Sequence, residues 1–346
     1  MARRPANGQA PAQFALDVRG LTTSFYVGGK WFPAVRDVSF ALKRHETLAL
    51  VGESGCGKSM TAMSIMGLVP KDAGRVKAEA ILFEGQDLAR ASEAKMREVR
   101  GDGISMVFQE PMTSLNPVLT IGFQVSEALR HHRGLSRRDA AARALHILDQ
   151  VKIPSAKSRF NDYPHQFSGG MRQRVMIAMA LACQPKILLA DEPTTALDVT
   201  IQAQILELLR ELKRETGMAM IFITHNLGVV AELADRVAVM YAGQIVEIAE
   251  VAELFARPTH PYTEALLRSI PRSDRDTAEL YTIPGQVPPI TRMPPGCKFA
   301  DRCAYRLDRC QAEEQQLAPL AKAPAHAVRC WRRTEETQPE MVVVDA

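Results

Sequence analysis

No stretch of about 18 consecutive apolar residues occurs in the 346-residue chain, so no membrane-spanning segment is expected. The opening stretch MARRPANGQAPAQ has two arginines but lacks the apolar core of a signal peptide, so residues 1–13 are expected to form a disordered tail. Charge of one sign is also missing. Against 39 acidic residues stand 43 basic ones, a net +4 without long blocks, and nucleic acid is therefore not an expected partner. No internal repeat is visible, which excludes a fused pair of modules. Cysteine is scarce, six in all, yet Cys297, Cys303, Cys310 and Cys330 fall within the last fifty residues. Without an export signal the expected compartment is the cytosol, where disulfides rarely persist, and a disulfide framework is disfavoured.

What is present suits a soluble globular protein: 46% hydrophobic and 24% charged residues, and a length that implies a main domain plus something smaller. Residues 46–70, ETLALVGESGCGKSMTAMSIMGLVP, pass from a strand-like apolar run to a helical pattern that Gly67 and Pro70 stop. Further apolar runs, KILLA and MAMIFIT, end at Asp191–Glu192 and at His225. Between them Ile205, Leu208, Leu209 and Leu212 share one helical face, with Gly217 as C-cap. Buried strands alternating with helices predict an α/β domain with a largely parallel sheet. RVAVMYAGQIVEIAE predicts two strands turning at Ala242–Gly243. Residues 112–166 are helical in pattern and predict an inserted helical subdomain, taken as about 112–172. Beyond residue 268 the chain becomes an irregular, proline-rich connector.

GESGCGKS, residues 52–59, fits the phosphate-loop pattern G-x-x-x-x-G-K-[ST], with a strand before and a helix after. Gly52, Gly55 and Gly57 permit a tight backbone whose N–H groups point at phosphate oxygens, and the following helix adds its positive end. Lys58 is expected to reach the β- and γ-phosphates and the Ser59 hydroxyl to coordinate Mg²⁺. Glu53, Ser54, Cys56 and Met60 complete the expected nucleotide-binding set, with Cys56 as a small filler. Asp191, ending a buried strand, is expected to hold Mg²⁺ through water, and Glu192 to act as general base on the attacking water.

FSGGMRQR, residues 167–174, places Ser168 as cap of a helix whose first glycines leave N–H groups open to an anion. From residue 52 to residue 225 six motifs follow in order: the phosphate loop, Gln109 in MVFQEP, FSGGMRQR, ILLADEP, TALD and ITH. Together they resemble the nucleotide-binding domain of ABC transporters. That resemblance implies residues 14–265 as the P-loop ATPase domain and a head-to-tail dimer with a second ABC ATPase subunit. Ser168, Gly169 and Gly170 would touch the nucleotide held by the partner, and Asp198 would cross the interface. Gln109 would touch Mg²⁺, and His225 would hold the γ-phosphate and orient the water. Phe25 matches the adenine-stacking position, with Tyr26 and Trp31 as alternatives.

GESGCGKSMTAMSIMGL, QEPMTSLNPVLTIGFQVSE and RPTHPYTEALLRSIP are similar to the dipeptide and oligopeptide importer group. Membership implies two permease subunits, an extracytoplasmic peptide-binding protein and a peripheral place on the cytoplasmic membrane face. Nickel or glutathione as cargo, or a soluble ABC ATPase serving DNA repair or translation, are the competing readings. Residues 266–335 are expected as a small cysteine-rich extension outside the motor, with 336–346 a flexible tail. The spacing Cys-x5-Cys-x6-Cys-x19-Cys does not choose between zinc, an iron–sulfur cluster and free thiols. The resemblance implies a 4Fe-4S cluster held by Cys297, Cys303, Cys310 and Cys330, with zinc as the alternative. Cys183 is expected to be a core residue.

Overall fold

Two β-sheets face each other and place the phosphate loop at one end of the second. The structure is a computed structural model that describes residues 14–195, 197–270 and 281–333. Both expected terminal tails lie outside the described residues. The first sheet begins with a long hairpin, β1 (Phe14–Val27) and β2 (Lys30–Lys43), turning at Gly28–Gly29, both at positive φ. β4 (Gly74–Lys77) and β5 (Ala80–Phe83) both pair with β1, and β6 (Gln86–Asp87) with β5, all antiparallel. Leu16, Val18, Leu21, Val38, Phe40 and Leu42 turn inward from this sheet, as period-two geometry dictates for a sheet covered on one face.

The second sheet has the order β12 (Ala318–Leu320), β13 (Ala323–Val328), β11 (Gln244–Glu250), β10 (Arg236–Tyr241), β3 (Thr47–Val51), β9 (Ala219–Thr224), β8 (Ile187–Asp191) and β7 (Ile104–Val107). The run from β10 to β7 is parallel. Every residue of β3, β8 and β9 is buried, because both faces are covered and no polar alternation is needed. Ile187, Leu189, Ile221 and Ile223 pack toward the antiparallel sheet, and Leu188, Ala190, Met220 and Phe222 pack toward helices. These helices include Ile121–Arg133 and Arg137–Gln150, capped by Thr120 and Ser136, and the buried helix Gly169–Leu181. Among the described residues no helix is long and apolar enough to cross a membrane.

The C-terminal residues depart from the expected appendage. β13 pairs antiparallel with β11 and so joins the sheet that carries the phosphate loop. Beneath this junction the fully buried Glu247 carboxylate accepts the N–H groups of Thr259 and His260, at 2.7 and 3.0 Å, and His326 Nε2–H at 2.7 Å. His260 Nδ1 in turn accepts the Tyr262 N–H at 3.1 Å and caps the helix Pro261–Arg268.

Burial lowers the pKa of His260 to about 4; Glu247 opposes this shift, and Arg332 and Arg329 add to it. The unfolded chain therefore takes up this proton first, so stability is complete above about pH 6.5 and declines as pH falls toward 4. Between pH 6.5 and 5 the loss amounts to roughly 2 kcal/mol. His260→Asn keeps an acceptor for the cap and removes the titration. Denaturant midpoints measured at pH 7 and pH 5 should therefore differ less in the variant than in the wild type. Equal differences would show that His260 does not govern this acid sensitivity.

Candidate active site

The phosphate loop joins β3 to the helix Lys58–Ile65. Its first residue, Gly52, has φ +146°, and a Cβ there would lie 2.2 Å from the Met240 carbonyl oxygen. Only glycine fits so close an approach to neighbouring backbone. Lys58 is buried, and its Nζ crosses the loop to donate to the carbonyls of Gly52 at 2.8 Å and Glu53 at 3.1 Å. Cys56 is fully buried beneath the loop, where burial raises its thiol pKa. It is a filler, and its side chain does not line the cleft.

Ser59 Oγ donates to Asp191 Oδ1 at 2.8 Å, joining the loop to the end of β8. Burial raises the Asp191 carboxyl pKa, and the Ser59 hydrogen bond opposes that shift. The hydroxyl and carboxylate, with Gln109 nearby, offer the hard oxygen donors that Mg²⁺ prefers. Bound there with a triphosphate, the ion would neutralise charge developing on the transferred phosphoryl group.

Glu192 follows Asp191 at φ +45°, a left-handed conformation that redirects its side chain. Its Oε2 accepts Gln109 Nε2–H at 3.3 Å and Thr195 Oγ1–H at 2.8 Å, and lies 3.3 Å from His225 Nδ1. Glu192 is 13% exposed and His225 62%, so a shielded carboxylate sits beside an accessible imidazole. Three residues far apart in sequence thus converge around one oxygen.

Lys58, Ser59, Gln109, Glu192 and His225 line an open cleft of about 970 Å³ together with Glu53, Ser54, Gly55, Gly57 and Met60. Its remaining walls are Ala34 and the stretch Gly285, Gln286 and Val287, which sequence reasoning missed because no local pattern marks them. Phe25, Tyr26 and Trp31 are not among the lining residues. Phe25 is half-buried beside Gly74, while Tyr26 and Trp31 are exposed and pack on each other at 5.3 Å.

Ser168, Gly169 and Gly170 are not among the residues that line this cleft. Ser168 accepts the Met171 N–H at 3.3 Å and caps its helix, leaving Ser168 and Gly169 exposed. Asp198 likewise caps the helix Val199–Thr216 by accepting the Ile201 N–H at 2.9 Å. Leu197 and Ile201 pack against Gly169 and Gly170, so these two motifs form one face, on which Val199 is 83% exposed.

Cys297, Cys303, Cys310 and Cys330 line one small cavity of about 20 Å³ beside His260, Phe299 and Trp331. The expected 4Fe-4S cluster, and zinc in its place, are not supported. Among the described residues no group of three or more His, Cys, Asp or Glu side chains is placed to hold a metal ion. In this packing burial raises Cys297 to about 11 and Cys303 to about 12, so both thiols are neutral here. Cys183 is a buried core residue, as expected.

A phosphate loop, a strand-end Asp–Glu pair and an inserted helical layer around a mixed sheet define an ATP-hydrolysing P-loop protein of the ABC type. Residues 35–195 match the ABC transporter family, and residues 246–310 match the oligopeptide/dipeptide transporter C-terminal region. A putative peptide import ATP-binding protein of Brucella melitensis is 53% identical over 331 residues, covering 92% of this chain and 97% of its own. The dipeptide transport ATP-binding protein DppD of Bacillus subtilis is 51% identical, covering 96% and 98%. A dimeric ATP-binding cassette solved in a post-hydrolysis state with ADP and Pi superposes with a TM-score of 0.61 at 29% identity. That match covers 68% of this chain and 98% of the cassette. The chain belongs to the ABC transporter family, among the ATP-binding subunits of the dipeptide/oligopeptide group.

Proposed function

We propose that this chain hydrolyses ATP to power the import of di- or oligopeptides. It acts with a second ABC ATPase subunit, two permeases and an extracytoplasmic peptide-binding protein, as a peripheral subunit on the cytoplasmic membrane face. The observation that carries the reading is the pairing of the converged Glu192, Gln109 and His225 with the match of residues 246–310 to the peptide-transporter C-terminal region. In this reading residues 266–335 form the small cysteine-rich extension of that group, its thiols packing a cavity without metal.

Lys58 and the loop N–H groups hold the β- and γ-phosphates, and Ser59, Asp191 and Gln109 would hold Mg²⁺. Glu192 takes a proton from water as the water oxygen bonds to the γ-phosphorus, and the bond to the β–γ bridging oxygen breaks to release ADP. Thr195 and Gln109 fix the carboxylate by donating to it, and His225 orients water and γ-phosphate. The Ser168–Gly169–Gly170 face supports a composite site in which each subunit covers its partner's nucleotide. Phe108, next to Gln109 in sequence, is 36% exposed, and Val118 and Phe123 further along are 76 and 43% exposed. Exposed apolar side chains such as these suit permease docking, which would link nucleotide state to the membrane subunits.

Reconstitution with the neighbouring permease, ATPase and binding-protein gene products tests the reading. ATP hydrolysis stimulated by peptide-loaded binding protein, with peptide entering the vesicles, is the expected result. Hydrolysis that ignores every peptide, or a chain that never co-purifies with permease, would count decisively against it.

A further inference from the structure

Behind the phosphate loop, one side chain joins positions 249 residues apart. Arg302 ends the short turn Ala300–Arg302, immediately before Cys303. Its guanidinium grips the Glu53 carboxylate with two bonds, Nη1 to Oε2 at 2.7 Å and Nη2 to Oε1 at 2.9 Å. A fork-on-fork pair of this kind is strong and fixes direction as well as distance. The Arg302 side chain is 5% exposed and lies over the rings of Tyr241 and Phe299, at 5.7 and 5.8 Å from their centroids. Little freedom is left to it.

Arg302 also holds the segment that leads into a second part of the cleft wall. Its Nε donates to the Pro284 carbonyl at 2.8 Å and its Nη2 to the Ile283 carbonyl at 3.4 Å. The next residues, Gly285, Gln286 and Val287, line the nucleotide cleft. Gly285 lies against the arginine stem at φ +74°, where a Cβ would come within 3.3 Å of Arg302 Cγ. From the other side, the Glu53 N–H donates to the hydroxyl of buried Tyr262 at 2.9 Å. Both the backbone and the carboxylate of Glu53 are therefore held by residues C-terminal to the phosphate-loop sheet strands β10 and β11.

Glu53 lines the cleft and its side chain is 30% exposed, so its negative charge lies close to the region that a triphosphate enters. Unpaired, it would repel the nucleotide and leave the loop free to move. Paired, it is neutralised and its backbone is preset for phosphate contact.

We propose that Arg302 is a positioning residue for nucleotide binding, through which the C-terminal segment sets the ATP affinity of the phosphate loop. The proposal rests on the cleft being the ATP site and is independent of the cargo. It is tested by Mg-ATP titration of the full-length chain in four forms: wild type, Arg302→Met, Glu53→Gln and the double variant, with thermal melting alongside. Arg302→Met exposes the carboxylate and should weaken ATP binding about tenfold. Adding Glu53→Gln removes that charge, so the double variant should recover part of the loss. A side chain that only braces the fold would instead give additive losses, or a lower melting point with ATP affinity within twofold of wild type; either result overturns the proposal. If Arg302→Met does not fold, Arg302→Lys retains the charge but not the fork, and should show an intermediate loss; unchanged affinity there also overturns it. Wild-type protein that binds no Mg-ATP would instead strike at the reading of the cleft itself.

Discussion

Glu192→Gln lowers ATP turnover by the assembled transporter at least about a hundredfold while leaving ATP bound. The amide has nearly the same shape as the carboxylate and keeps an oxygen to accept from Thr195 Oγ1 or Gln109 Nε2, the partners 2.8 and 3.3 Å away in the wild type. It is too weak a base to take the proton of the attacking water. ATP-loaded protein should then accumulate, because the bound nucleotide is no longer turned over. Phosphate release and nucleotide retained after gel filtration measure the two halves of this expectation. Turnover at the wild-type rate would remove Glu192 from the role of base.

Lys58→Met acts one step earlier. Lys58 is buried at the base of the loop, so an unbranched side chain of similar length preserves the packing against the helix Lys58–Ile65. The substitution deletes the ammonium that now donates to the Gly52 and Glu53 carbonyls and that would turn to the phosphates. Charge-assisted hydrogen bonds contribute about 1.5–3 kcal/mol each, and losing them lowers Mg-ATP affinity by about a hundredfold or more. Equilibrium titration with a fluorescent nucleotide reads the change, and a melting curve shows whether the fold survives. Affinity within tenfold of wild type in a folded variant would refute the assignment of Lys58 to the phosphates.

Much of the motor was legible in the sequence because its signals are local. An apolar run, a glycine-rich turn and a helical pattern within residues 46–70 correspond to β3, the phosphate loop and the helix Lys58–Ile65. The turn at Ala242–Gly243 and the two strands around it also have their own local pattern. The antiparallel sheet was less legible: β1 and β2 pair through several register shifts, and their alternation is correspondingly broken. The cysteines misled for a related reason. Spacing reports how often a residue type recurs, and it does not report the dielectric around each sulfur.

The sequence by itself determined the order of the catalytic motifs, the ATPase class and the helix cap at Ser168, since each depends on residues a few positions apart. Only the tertiary structure decided that Glu192, Gln109 and His225 meet at one carboxylate oxygen. It also brought the C-terminal strand β13 into the phosphate-loop sheet and Arg302 against Glu53. Such contacts depend on how distant segments pack against a shared sheet, where chain closure over hundreds of residues leaves no periodic mark in the sequence.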